Sequence, residues 1–176
     1  MLPLALNFAE LEFFIIFVLF CGGGEDLIRF GEFMINFEFD DVVAPELDFG
    51  SVREWIADVA ASRGFEVGRL FYRFCDDLSI LEANRKFLGH DYFTDIITFD
   101  YTRGTRLSGD MIISLDTVAS NATSLGVAVN DELLRVIIHG VLHLCGIDDK
   151  GPGEREIMER AENDALRMLP PALAAY

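Results

Sequence analysis

Val136-Ile-Ile-His139-Gly-Val-Leu-His143-Leu-Cys-Gly146-Ile-Asp148-Asp149 carries more information than any other stretch of the chain. Its apolar positions recur at helical spacing, so the segment reads as a helix that Gly146 terminates. On such a helix His139 and His143 fall one turn apart and share a face. Two neutral imidazoles in that arrangement can hold one metal ion, and an otherwise apolar run does not give up their hydration without some return. Asp149 follows His143 by six residues, just past the glycine reversal. A carboxylate there would complete a two-imidazole, one-carboxylate site with an open fourth position, the arrangement with which zinc hydrolases bind and acidify water. His90, the only other histidine, stands far upstream and is the second choice as a ligand. The competing reading is a pair of buried histidines satisfied by backbone carbonyls. A metalloprotease is disfavoured, because its general-base glutamate would occupy the position of Gly140.

Working outward, the helix is expected to begin at Asn130 as its cap, with Asp131 and Glu132 favouring its positive end. Upstream, Met34–Phe39 alternates as a strand, residues 51–63 carry Trp55, Ile56, Val59 and Ala60 at helical spacing, and residues 67–74 return to a strand. Asp77 is expected to cap a helix through Phe87. Residues 95–101 and 107–115 read as strands joined by a hairpin at residues 102–106, followed by a helix over residues 116–125. Beyond the metal helix, residues 154–168 form a charged amphipathic helix stopped by Pro170-Pro171. This order predicts a single mixed α/β (α+β) domain over residues 34–176. Its sheet would have about four strands packed with about five helices, with the metal site on a helix and the following turn.

Residues 1–33 do not fit that domain. Phe13–Cys21 is an apolar run of nine residues, too short for a bilayer that needs roughly 20. No basic residue precedes Arg29, so a signal peptide is a poor match. The expectation is that Met34 is the true start and that residues 1–33 are a non-family N-terminal extension with a misassigned start. An N-terminal membrane anchor is the alternative. No membrane association is expected for residues 34–176.

The chain of 176 residues has 51% hydrophobic residues, enough for one packed core. Its 30 acidic against 14 basic residues give a formal charge of −16, which argues against nonspecific binding to a polyanion. Arg63, Arg69, Arg73, Arg85, Lys86, Arg103 and Arg106 nevertheless concentrate between residues 60 and 110. Three widely spaced cysteines, Cys21, Cys75 and Cys145, exclude a disulfide framework and a thiolate zinc site, which fits a reducing cytoplasm.

The stretch His139-Gly-Val-Leu-His143-Leu-Cys-Gly146-Ile-Asp-Asp149 resembles the pattern His-Gly-x-Leu-His-Leu-x-Gly-Tyr-Asp-His of the YbeY family. Asn84-Arg-Lys-Phe87, Thr94-Asp95-Ile-Ile-Thr-Phe99 and Gly109-Asp110-Met resemble that family's Asn-x-x-Tyr-Arg, Thr-Asp-Val-Leu-Ser-Phe and Gly-Asp-Ile segments. The resemblance implies a cytoplasmic, zinc-dependent, single-strand-specific endoribonuclease acting in rRNA maturation, at the 16S rRNA 3′ end, and in ribosome quality control. One zinc ion held by His139, His143 and Asp149 would carry the reactive water, and Asp148 would orient a ligand imidazole. The implied partners are an rRNA precursor and the small ribosomal subunit or its proteins. Two positions depart from the pattern: Asp149 stands where the third zinc histidine belongs, and Leu88 where an arginine belongs. Arg85, Lys86 or another nearby base would then have to hold phosphate. The rival readings are a noncatalytic ribosome-assembly factor with structural zinc and a zinc hydrolase of small substrates.

Overall fold

A computed structural model describes residues 34–173. Both expectations for residues 1–33 lie outside the described residues. In chain order the elements are β1 (Ile35–Phe39), α1 (Phe49–Ser62), β2 (Glu66–Cys75), α2 (Asp77–Ala83), β3 (Ile96–Asp100), β4 (Arg106–Ser114), α3 (Leu115–Leu125), α4 (Val129–Leu144) and α5 (Glu154–Leu166). The four strands form one mixed sheet in the order β1-β2-β4-β3. β2 runs parallel to both β1 and β4, while β3 closes the edge as the antiparallel partner of β4. The expected α/β domain with four strands and five helices is therefore what the chain forms.

α4 is the element around which the rest packs. Leu133, Leu134, Val136, Ile137, Ile138, Val141, Leu142 and Leu144 are all buried, so the helix is apolar almost all round, as a central helix must be. It shares one core with Leu70, Tyr72, Phe74, Leu107, Met111 and Ile113 of the sheet and with Val52, Trp55 and Ile56 of α1. Trp55 donates its indole N–H to the carbonyl of Ala165 at 2.9 Å, tying α1 to α5. On the opposite face of the sheet, Ile80 of α2 covers a smaller cluster of Cys75, Ile97 and Ile112.

α4 approaches the sheet closely at Gly140. A Cβ there would meet Ile96 Cδ1 at 2.9 Å, Met111 Cγ at 3.0 Å and Thr98 Oγ1 at 3.4 Å. The missing side chain is what lets the helix rest on β3 and β4 at this depth.

Three local expectations are corrected. Asp76, not Asp77, caps α2 by accepting from the Ser79 N–H at 2.8 Å. Asp77 accepts from the hydroxyls of Ser114 and Thr117 instead, joining α2 to the start of α3. The helix expected through Phe87 changes character at Asn84, where a π-helical turn, Asn84–Leu88, ends on Gly89 at φ 68°. α4 begins at Val129 with Ala128 in the capping position and no side-chain cap, and the Asn130 amide donates to the Glu46 carbonyl at 3.3 Å.

Asp110 lies on β4 next to the core residue Met111, so its side chain points to the other face of the sheet, and it is buried there at 1% exposure. Burial pushes its carboxyl up to about 6, against the opposing pull of Arg69 at 3.8 Å and of the Tyr101 hydroxyl. A folded-state value raised above the ordinary carboxyl contributes stability below about pH 4 that is lost as pH rises through about 6. Asp110→Asn is therefore expected to stabilise the fold at pH 8 by about 1–3 kcal/mol, and by much less at pH 4. Urea denaturation at the two pH values measures this, and equal effects at both would contradict it.

Candidate metal centre

His139 and His143 project from one face of α4 with ring centroids 4.4 Å apart and planes at 90°. The chain then reverses through a Schellman motif: the Gly146 N–H donates to the His143 carbonyl at 2.8 Å and the Ile147 N–H to the Leu142 carbonyl at 3.1 Å. Gly146 sits at φ 83°, a left-handed conformation that costs glycine nothing. This reversal returns Asp149 to the imidazole pair. His139 Nε2 lies 3.7 Å from Asp149 Oδ2, and His143 Nε2 lies 3.9 Å from Asp149 Oδ1.

The other ring nitrogens are already engaged. His143 Nδ1 lies 2.8 Å from the Ile147 carbonyl, and His139 Nδ1 lies 2.6 Å from Glu162 Oε1. Both partners only accept, so both Nδ1 atoms carry the proton and both Nε2 lone pairs point at a carboxylate. Burial, together with the neighbouring His139, lowers the His143 pKa against the opposing pull of Asp149. Asp149 Oδ1 is buried with no hydrogen-bond partner. The three candidate ligand atoms lie within 4.8 Å of one another, a spacing in which one cation could be held by all three. A tetrahedral zinc, about 2.0–2.2 Å from each nitrogen or oxygen ligand, suits this donor set. Among the described residues, His139, His143 and Asp149 form the one group able to hold a metal ion.

The remaining expected residues lie elsewhere. Asp148 is exposed, and the Nδ1 atoms of the two imidazoles contact Glu162 and the Ile147 carbonyl. His90 is exposed and stacked on Tyr92, away from the group. Cys145 is half-buried, and burial pushes its thiol up to about 11, so it packs as an apolar side chain. Arg85 is tied to Asp91 at 2.6 Å. Asp95 lines the cleft, where Asn121 donates to it at 3.4 Å, whereas Asp110 faces the far side of the sheet.

Glu162 and Arg135 went unread in the sequence. Arg135 donates through Nε to Glu132 at 2.7 Å and through Nη1 to Glu162 at 3.2 Å, with Asp95 at 3.8 Å. Glu132, expected only to favour the helix dipole, is buried in this network. A signal was available for Glu162, which follows Met158 by one turn and shares the stripe of Ala161 and Ala165, so it is a carboxylate on the buried side of a polar helix. These groups border a cleft of about 540 Å³ between α3, α4 and α5.

Residues 41–170 match the model of the family described as Endoribonuclease YbeY. A relative from Bacteroides thetaiotaomicron named Endoribonuclease YbeY is 59% identical over 134 residues, 76% of this chain and 98% of the relative. A relative of the same name from Porphyromonas gingivalis is 51% identical over 135 residues, 77% of this chain and 89% of the relative. A solution structure of a Thermotoga maritima protein superposes with a TM-score of 0.58 at 24% identity, covering 77% of this chain and 88% of that one, a likeness of fold. Among the described residues no helix is long and apolar enough to cross a membrane. With a family match over residues 41–170, relatives more than half identical, and its imidazole pair and carboxylate brought together past the helix end, this chain belongs to the endoribonuclease YbeY family.

Proposed function

We propose that this endoribonuclease uses one zinc ion, bound by His139, His143 and Asp149, to hydrolyse phosphodiester bonds of single-stranded RNA. The work proposed for it is maturation of an rRNA precursor at the 16S rRNA 3′ end and ribosome quality control, in the cytoplasm and in contact with the small ribosomal subunit. The observation that carries the metal reading is the convergence of two Nε2 lone pairs on a carboxylate whose Oδ1 is buried without a partner. A zinc ion there would supply Lewis acidity toward a phosphoryl oxygen and lower the pKa of water. The protein's own part is orientation. Ile147 and Glu162 each hold a Nδ1 proton, fixing both tautomers and ring angles before any ligand arrives. Arg135 in turn holds Glu162 in place and offsets part of its charge.

The test uses wild-type protein freed of contaminating nuclease. Zinc at about one per chain is expected. Cleavage of a single-stranded oligoribonucleotide should be lost on chelation and restored by zinc, with a duplex of the same sequence left intact. Metal-loaded protein that never cuts RNA would sink the reading and point to a noncatalytic assembly factor.

Glu162→Gln is expected to weaken zinc binding by about 10–100-fold, because the amide is a poorer acceptor for the His139 N–H than the carboxylate. Competition against a chelating dye reads this directly. Wild-type affinity in the variant would remove Glu162 from the site.

A further inference from the structure

The cleft beside the metal group is strongly acidic for a protein whose substrate is a polyanion. Asp95, Glu132, Asp149, Glu159 and Glu162 line it against two guanidinium groups, Arg135 and Arg155. Five carboxylates against two guanidiniums make a formal −3, which a divalent ion reduces to −1. A phosphate backbone entering such a cleft needs a cation that is free to meet it.

Arg135 is not free. Its Nε and both Nη atoms are spent on Glu132 and Glu162, and 27% of its side chain is exposed. Arg155 is the reverse case. It sits in the first turn of α5 at 81% exposure, paired with Glu159, a helical neighbour at 3.3 Å that is itself 58% exposed. An exposed pair of this kind holds little free energy and yields readily to a better anion.

We propose that Arg155 is the substrate-binding residue that takes a backbone phosphate of the RNA at the mouth of the metal cleft. This inference rests on the endoribonuclease reading of the site. The guanidinium would exchange Glu159 for two phosphoryl oxygens, a planar fork to which its geometry is suited, and would compensate locally for the acidic lining. It also supplies the nearby base that Arg85 and Lys86, outside the cleft lining, do not.

The experiment measures binding of a labelled, hydrolysis-resistant phosphorothioate oligoribonucleotide to zinc-loaded, full-length protein across a series of salt concentrations. Arg155→Ala should weaken binding by about tenfold and reduce the salt slope by about 0.7, the value of one lost phosphate contact on a single strand. Arg155→Lys should keep the slope and lose part of the affinity. Arg167→Ala, at the far end of α5 and 74% exposed, should change neither. Wild-type protein that cuts RNA, with an Arg155→Ala affinity and slope equal to those of Arg167→Ala, would overturn the role of Arg155 alone. Wild-type protein that neither binds nor cuts would overturn the underlying reading.

Discussion

Asp149→Ala is expected to purify without stoichiometric zinc and to lose RNA cleavage by more than about a hundredfold. The magnitude follows from a comparison. Partners that only orient a ligand are worth about 10–100-fold in metal affinity, so removing a ligand itself must cost more. The alanine leaves two imidazoles, and it removes the one formal negative charge among the three candidate ligands. Folding should survive, because Asp149 is 31% exposed and its Oδ1 has no hydrogen-bond partner to lose. Metal analysis, circular dichroism and the cleavage assay on one preparation read all three quantities. Unchanged zinc content in Asp149→Ala would show that the third ligand is another group or solvent.

The second large effect falls on stability. Arg135→Ala should destabilise the domain by about 3–5 kcal/mol, because it leaves the buried carboxylates of Glu132 and Glu162 without the guanidinium they share. For a domain of this size the melting temperature would drop by roughly 10 °C. Glu132 is only 2% exposed, so water cannot replace the guanidinium there. Adding Glu132→Gln to Arg135→Ala should recover part of the loss, since one of the two stranded charges is then gone. Urea denaturation of the single and double variants checks both statements. A loss below about 1 kcal/mol for Arg135→Ala would mean that the network is far better hydrated than its burial indicates.

The sheet, the hairpin and the histidine helix were legible because each rests on periodicity or on a glycine whose backbone need is local. Gly146 is the best example: the reversal that brings Asp149 home is written in the residues from Leu142 to Ile147. The caps were less legible. Asp76 and Asp77 are chemically identical candidates, and the choice between them depends on Ser114 and Thr117, some 40 residues away. The support beneath the ligands was hidden for a similar reason. Glu162 reaches His139 across 23 residues of sequence, and only the packing of α5 on α4 brings them together. Asp148 drew attention by proximity in the chain, yet its neighbour Asp149 is the one the turn directs inward.

The close seat of α4 over β3 at Gly140 acts as a mechanical datum for the chemistry. Because a methyl group there would have to push aside the side chains of Ile96 and Met111, the seat of the helix helps set how far both imidazoles stand from the sheet. A glutamate at that position, the residue a peptidase would need, would have to pry the helix off its bed and misalign the ligands it was meant to assist. Conversion of this scaffold to peptide hydrolysis is thus blocked by packing as well as by chemistry, and no single exchange at that position opens the route.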